Sequence, residues 1–97
     1  MNRISDRRLR SLRNRIPVDL VIRHLGIPAK DVEGYFRFLC PVCQDLHTAT
    51  NPTTNLARCF RCQQNYNPID LVMVVRSMRF LDAVEYLTQN FGEHLSD

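Results

Sequence analysis

The spacing of hydrophobic positions predicts helices on either side of a β-rich centre. A loose apolar stripe near the N-terminus predicts a first helix, with arginines on its other faces; its members are Ile4, Leu9, Leu12 and Ile16. After Pro17, the segment VDLVIRHLG predicts a short second helix that ends at Gly26. The segment IPAKDVEG then reads as a connector.

The centre of the chain has strand character. The segment GYFRFLC is rich in aromatic residues that alternate with a period of two, which predicts a strand. A polar loop, QDLHTATNPTTN, follows, and LARCF predicts a second short strand. We therefore expect a β-hairpin whose two strands each end at a cysteine pair. In so small a hairpin, the rings of Phe36, Phe38 and Phe60 are expected to pack in the core.

Two helices are predicted after the second strand. Asn67 suits an N-cap, Pro68 suits the first helical position, and the charge of Asp70 favours the helix dipole. The residues expected to cover the hairpin are Ile69, Val72, Met73 and the aliphatic stem of Arg76. The last helix is expected to end at Gly92 and to bury one face, made of Leu81, Val84, Leu87 and Phe91.

Length and charge add two constraints. A chain of 97 residues is one domain, near the size at which an apolar core gives only marginal stability. It has neither the apolar stretch of a signal peptide nor one that could span a bilayer, so we expect a soluble, cytoplasmic protein without a membrane partner. The first fifteen residues form a basic arm that either contacts nucleic acid phosphates or is merely solvated; its charges are Arg3, Arg7, Arg8, Arg10, Arg13 and Arg15 against Asp6.

Four cysteines carry the candidate chemistry. Cys40 and Cys43 form one C-x-x-C pair, and Cys59 and Cys62 form a second. Zinc prefers a closed tetrahedron of such thiolates, so the spacing predicts one structural zinc, with disulfides or a redox pair as the alternatives. A closed site has no open position for an activated water, which argues against catalysis. His47 is the one competing ligand.

The ordered run of these motifs resembles a known family. Cys40-Pro41-Val42-Cys43, then Cys59-Phe60-Arg61-Cys62, then Asn67-Pro68-Ile69-Asp70 with Met73 is similar to the zinc-binding domain at the N-terminus of bacterial replicative DNA primases. The resemblance extends from about Ile16 to Phe91. Cys43 stands where that family most often has histidine, which preserves zinc binding. In the primases a catalytic, magnesium-holding domain follows, and we expect none here after Phe91.

The resemblance implies recognition of single-stranded DNA. Single strands are held by aromatic rings that stack on bases and by cations along the backbone. The candidate nucleic-acid-binding residues are Tyr35, Arg37, Arg58, Arg61 and Tyr66. Each of them has an alternative role, because tyrosines also serve at half-buried edges and arginines near thiolates can simply be solvated.

Together these patterns predict a small α+β, zinc-ribbon-like domain with a β-hairpin, flanking helices and one structural zinc. We expect an arginine-rich arm or helix at 1–15, the primase-like domain at 16–92 and a tail at 93–97. The expected function is non-catalytic binding of single-stranded DNA in replication, without a small-molecule substrate. Two alternatives remain open: a zinc-stabilised module that docks a replication or transposition protein, and the N-terminal fragment of an active primase.

Overall fold

The computed structural model describes residues 4–95 of the chain. Its elements are α1 (Asp6–Asn14), α2 (Val18–His24), β1 (Ala29–Val32), β2 (Tyr35–Phe38), β3 (Thr48–Asn51), β4 (Leu56–Cys59), β5 (Gln64–Tyr66), α3 (Pro68–Arg76), α4 (Phe80–Phe91) and a 3-10 turn, Gly92–His94. Arg3 of the predicted arm and residues 96–97 of the predicted tail lie outside the described residues.

The strands form two small antiparallel sheets, which confirms the predicted α+β class. Strand β1 pairs with β2, and β3, β4 and β5 form a three-stranded sheet in that order. The two predicted strands are present as β2 and β4. They lie in different sheets, so the prediction that they pair with each other in one hairpin was wrong. Each pairs with strands that the polarity pattern had placed in a connector or a loop.

Turn chemistry explains the first hairpin. Glu33 and Gly34 form a two-residue turn between β1 and β2, and their φ angles are 52° and 83°. Two successive positive φ angles are characteristic of the turn whose twist matches that of the flanking strands. The connector predicted from IPAKDVEG is therefore in part a strand, held against β2 with Val32 opposite Tyr35.

Thr48 joins the two sheets. Its side chain is fully buried, and its Oγ1 accepts a hydrogen bond of 2.8 Å from the N–H of Phe38 and donates one to the carbonyl of the same residue. The guanidinium of Arg37 donates to the carbonyl of Thr48 at 2.9 Å. These bonds satisfy backbone groups that would otherwise be buried without partners, and they fix the edge of β2 beside β3.

The two N-terminal helices belong to the packed structure. Ser5 caps α1 by accepting a hydrogen bond from the N–H of Arg8, and Leu12 and Ile16 are fully buried. Helix α2 has the expected extent and is followed by Gly26 at a φ of +76°. The arginines of α1 are consequently presented on a helix that the core holds in place.

Helix α3 begins as expected and packs slightly differently. Asn67 and Asp70 form a reciprocal capping box, with hydrogen bonds of 2.8 and 3.0 Å. Ile69 and Val72 are buried, and the pattern missed Leu71, which is fully buried. The expected role of the Arg76 stem was wrong, because that side chain is exposed and its guanidinium lies 6.0 Å from the centre of the Tyr86 ring.

Helix α4 and the aromatic residues bring two further corrections. Val84, Leu87 and Phe91 are buried as expected. Leu81, however, is 51% exposed, and Ala83 joins the buried face in its place. Phe38 is fully buried and Phe36 is half-buried, but Phe60 is 43% exposed and so does not belong to the core. Within residues 4–95, no helix has the length and apolar character needed to span a bilayer.

Candidate metal centre and nucleic-acid interface

The four cysteines converge on one point. Cys40 and Cys43 lie on the turn that follows β2, while Cys59 ends β4 and Cys62 lies on the turn that follows it. The four sulfur atoms all lie within 4.8 Å of one another. All four are free thiols, so no disulfide joins them. The sheets thus bring two sequence-distant pairs into one cluster of soft ligands.

Both cysteine pairs direct a backbone N–H at the sulfur of their first cysteine. The N–H of Val42 donates to Sγ of Cys40, and the N–H of Cys62 donates to Sγ of Cys59, each at 3.4 Å. The glutamine after each pair has a positive φ, 59° at Gln44 and 57° at Gln63. Each chain segment therefore turns around a common point with an N–H directed at a sulfur, an arrangement that stabilises thiolate ligands.

Electrostatics within the cluster favour a cation. Contact with the Cys43 sulfur, burial and the other nearby sulfurs raise the pKa of Cys62 to about 12. Burial opposes ionisation of Cys40 as well, but the N–H groups of Cys43 and Val42, together with contacts to the thiols of Cys43 and Cys59, outweigh it and lower the pKa of Cys40 to about 7. The sulfurs cannot all carry charge side by side without a cation at their centre. Four thiolates are the ligand set that zinc prefers, so the cluster fits one structural zinc.

The geometry supports neither a redox role for a cysteine pair nor His47 as a metal ligand. A thioredoxin-like pair belongs to a βαβ unit, and both sheets among the described residues are antiparallel. His47 is exposed and lies outside the cluster, with its ring 5.3 Å from that of Phe60. The four sulfurs already supply the four ligands that a structural zinc takes.

Tyr66 lies behind the metal centre. Its side chain is only 6% exposed, and its hydroxyl lies 4.0 Å from Sγ of Cys40. Burial raises the pKa of Tyr66 well above its usual value, so the hydroxyl stays protonated and can donate to the Cys40 sulfur. The ring therefore packs in the core behind the cysteine cluster and presents almost no surface to solvent.

A groove of about 870 Å³ lies over the outer face of the three-stranded sheet. Its floor comes from alternate positions of the strands, including Ala49, Leu56, Arg58 and Asn65. Tyr35, at the end of the first hairpin, lines one side, and the end of α1 together with the start of α2 lines the other. The opposite face of the sheet carries Ala57, Cys59 and Tyr66 and packs into the core.

Phe60 lies in this groove beside two polar side chains. The guanidinium carbon of Arg58 is 5.7 Å from the centre of the Phe60 ring, and the Arg58 side chain also donates to Asn65 at 3.2 Å. The sequence pattern missed Phe60 as a surface residue. The available signal was its place between Cys59 and Cys62, because side chains between two ligands of a knuckle point away from the metal.

The other two predicted arginines lie outside the groove. Arg37 is half-buried by its bond to Thr48, with its guanidinium 5.7 Å from the Tyr35 ring. Arg61 pairs with Asp45 at 3.3 Å and so connects the two cysteine turns. The N–H of His47 and the Arg61 guanidinium hold the pKa of Asp45 below its usual value. Of the predicted nucleic-acid-binding residues, the groove brings together Tyr35 and Arg58.

Comparisons with known proteins agree with the metal centre. Residues 4–97 match the sequence model of a family described as the CHC2 zinc finger. The DNA primase of Streptomyces coelicolor is 27% identical over 92 residues, which cover 93% of this chain and 14% of the primase. The chain therefore spans about one seventh of the length of this relative.

Proposed function

Since this chain belongs to the CHC2 zinc finger family, we propose that it is a non-catalytic, zinc-dependent domain that binds single-stranded DNA in a primase-associated process. The observation that carries the proposal is the groove over the three-stranded sheet, which is lined by the exposed rings of Phe60 and Tyr35 and by the half-buried Arg58. A role in replication would place the protein in the cytoplasm.

The chemistry of the groove suits unpaired bases. Phe60 and Tyr35 are 43% and 57% exposed, although large aromatic rings are usually buried where they serve stability alone. Exposed rings stack on bases of any sequence, and a guanidinium beside them can bind the backbone. Asparagines such as Asn51 and Asn65 add hydrogen-bonding groups along the same face. Bases paired in a duplex would not be available to these rings.

Zinc has a positioning role in this proposal. Phe60 lies between two zinc ligands, and Arg58 immediately precedes Cys59. The N–H of Phe60 also donates to the carbonyl of His47 at 2.9 Å, which ties the second cysteine turn to the segment that follows the first. The metal thereby holds the stacking ring over the groove. With four protein ligands it has no position for substrate or water, so we assign it no catalytic step.

Arg37 and Arg61 are proposed as marginal phosphate contacts. Arg61 is 68% exposed, and its ion pair with Asp45 is solvent-exposed and therefore weak. A phosphate can compete for its guanidinium at small cost. Arg37 has less freedom because it also holds the junction of the two sheets. Tyr66 is left out of the proposed interface because it is buried behind the zinc ligands.

A second candidate function is docking to a replication or transposition protein. Helix α4 exposes Phe80 and Leu81 at its start, and α3 exposes Val74. Such side chains favour an apolar contact, whose strength would change little with salt. Because the primase relative is about seven times longer than the matched segment, this chain can also correspond to one part of an active primase.

Paired substitutions test the proposed interface. Phe60→Ala should weaken binding to a labelled single strand by about tenfold, since stacking contributes about 1–3 kcal/mol per base. Arg58→Ala should weaken it and reduce its salt dependence. The matched controls are Phe80→Ala, which removes a ring of similar exposure (40%), and Arg79→Ala. Equal effects of the Phe60 and Phe80 substitutions would exclude the groove as the binding surface.

A further inference from the structure

Helix α1 carries a second groove that adjoins the one over the sheet. This α1 groove, of about 300 Å³, is lined by Arg7, Arg10, Ser11, Asn14 and Arg15. Asn14 and Arg15 also line the groove over the sheet. The two grooves therefore share a wall. A nucleic-acid strand that left the sheet groove at Arg15 would pass directly onto the exposed face of α1.

The α1 groove differs from the sheet groove in its charge. Three of its five lining residues are arginines and none is acidic. The sheet groove also includes Asp19 and Asp31. Residues 7, 10, 11 and 14 lie on one face of the helix, because positions three and four apart are neighbours. At about 1.5 Å per residue, this polar face is about 10 Å long.

The arginine face has a fixed position relative to the sheet. Leu12 and Ile16 are buried in the core beneath it. In addition, the side chain of Asn55, on the loop between β3 and β4, donates to the carbonyls of Arg13 and Ile16 at 2.7 Å each. The attachment sets the cationic face beside the open end of the sheet groove.

From this continuity we propose that the α1 groove binds backbone phosphates of the same single strand whose bases occupy the sheet groove. The strand would run from Phe60 along the sheet, pass Arg15 and continue over Arg10 and Arg7. This inference rests on the proposed function and extends it. The sheet groove contributes stacking, and α1 lengthens the site with contacts that are independent of sequence.

Oligonucleotide length separates the two grooves in an experiment. The zinc-loaded double variant Arg7→Gln/Arg10→Gln is compared with the wild type on single strands of about five and about fifteen nucleotides. On the long strand, the variant should bind several-fold more weakly. The slope of log K against log salt should become shallower by roughly 1.4, for two lost phosphate contacts at about 0.7 each. On the short strand, affinity and slope should stay at wild-type values.

A charge-matched control variant shows whether any loss of binding is specific to the α1 groove. Lys30→Gln/Arg79→Gln removes the same charge from positions that line neither groove, and it should leave the length dependence intact. Equal weakening on both strands, or none on either, would overturn the inference. In that case Phe60→Ala still reports on the sheet groove, since it should weaken both lengths. If no strand binds the wild type, both the proposed function and this extension fail.

Discussion

The side-chain oxygen of Asn55 accepts a hydrogen bond of 2.9 Å from the backbone N–H of Val18, the first residue of α2. The amide nitrogen of the same side chain donates to the carbonyls of Arg13 and Ile16. One buried residue on a β-loop thus satisfies the end of α1 and the start of α2 together. Its φ of 55° is in the left-handed region, where asparagine is tolerated better than most residues.

Loss of this side chain should destabilise the fold. Asn55→Gly keeps the left-handed backbone accessible but leaves the Val18 N–H and two carbonyls without their partner. We expect a loss of about 2–4 kcal/mol in the free energy of unfolding, since each buried unsatisfied group costs about 1–3 kcal/mol. Urea unfolding of the zinc-loaded protein measures this loss. Asn90→Ala, at an exposed position on α4, should change stability by less than about 1 kcal/mol. A glycine variant as stable as this control would show that the Asn55 bonds are unimportant.

Removal of zinc should unfold the protein. Cys40 and Cys59 are fully buried and pack in the same core as Phe38 and Tyr66. Structural zinc contributes about 10–16 kcal/mol of apparent binding free energy, more than the net stability of most small domains. Circular dichroism before and after a strong chelator should show loss of ordered structure, with recovery on adding zinc and none on adding magnesium. An unchanged near-ultraviolet spectrum would contradict this prediction.

Zinc binding should release protons and weaken in acid. Zinc binds thiolates, whereas the thiols of the unfolded, zinc-free chain have an ordinary pKa of about 8.5 and are mostly protonated near neutral pH. In the folded cluster the pKa values of Cys43 and Cys62 are raised further, so both sulfurs also hold their protons there until the metal binds. At least two protons should therefore leave per zinc, so affinity should fall by at least about a hundredfold for each unit that the pH drops. Calorimetry in two buffers of different ionisation enthalpy counts these protons. Release of fewer than two would refute the four-thiolate site.

Tyr66 should affect the metal and not the DNA. Tyr66→Phe removes the hydroxyl that lies beside the Cys40 sulfur while it keeps the buried ring. We expect zinc affinity to fall by about 1 kcal/mol, the usual net value of one hydrogen bond, with single-strand binding unchanged at saturating zinc. Chelator competition and fluorescence anisotropy measure the two effects separately. A variant with normal zinc affinity and impaired DNA binding would contradict this prediction and show that Tyr66 belongs to the DNA-binding surface.

Features encoded locally were predictable from the sequence. The start of α3 follows from Asn67, Pro68 and Asp70, whose capping interactions span only a few residues. The cysteine cluster was also predictable, since each pair turns on itself and the metal chemistry requires the two pairs to meet. In both cases the deciding interactions depend on residue type and short spacing.

Features that depend on distant partners were not predictable in the same way. Strands β1, β3 and β5 have the sequences AKDV, TATN and QNY, which contain few residues that favour strands. Their hydrogen bonds come from neighbours that periodicity does not identify. The turn at Glu33 and Gly34 was the one local signal for β1. The exposure of Phe60 and the burial of Tyr66 likewise depend on which face of the sheet meets the helices.

The most direct test of the central claim is fluorescence anisotropy with zinc-loaded protein. Labelled single-stranded and duplex DNA of the same sequence are titrated at low and near-physiological salt. Tighter binding to the single strand, which weakens as salt rises, is the predicted result. Equal affinity for both forms, or no binding at either salt, would contradict a single-strand-binding groove and favour a protein partner.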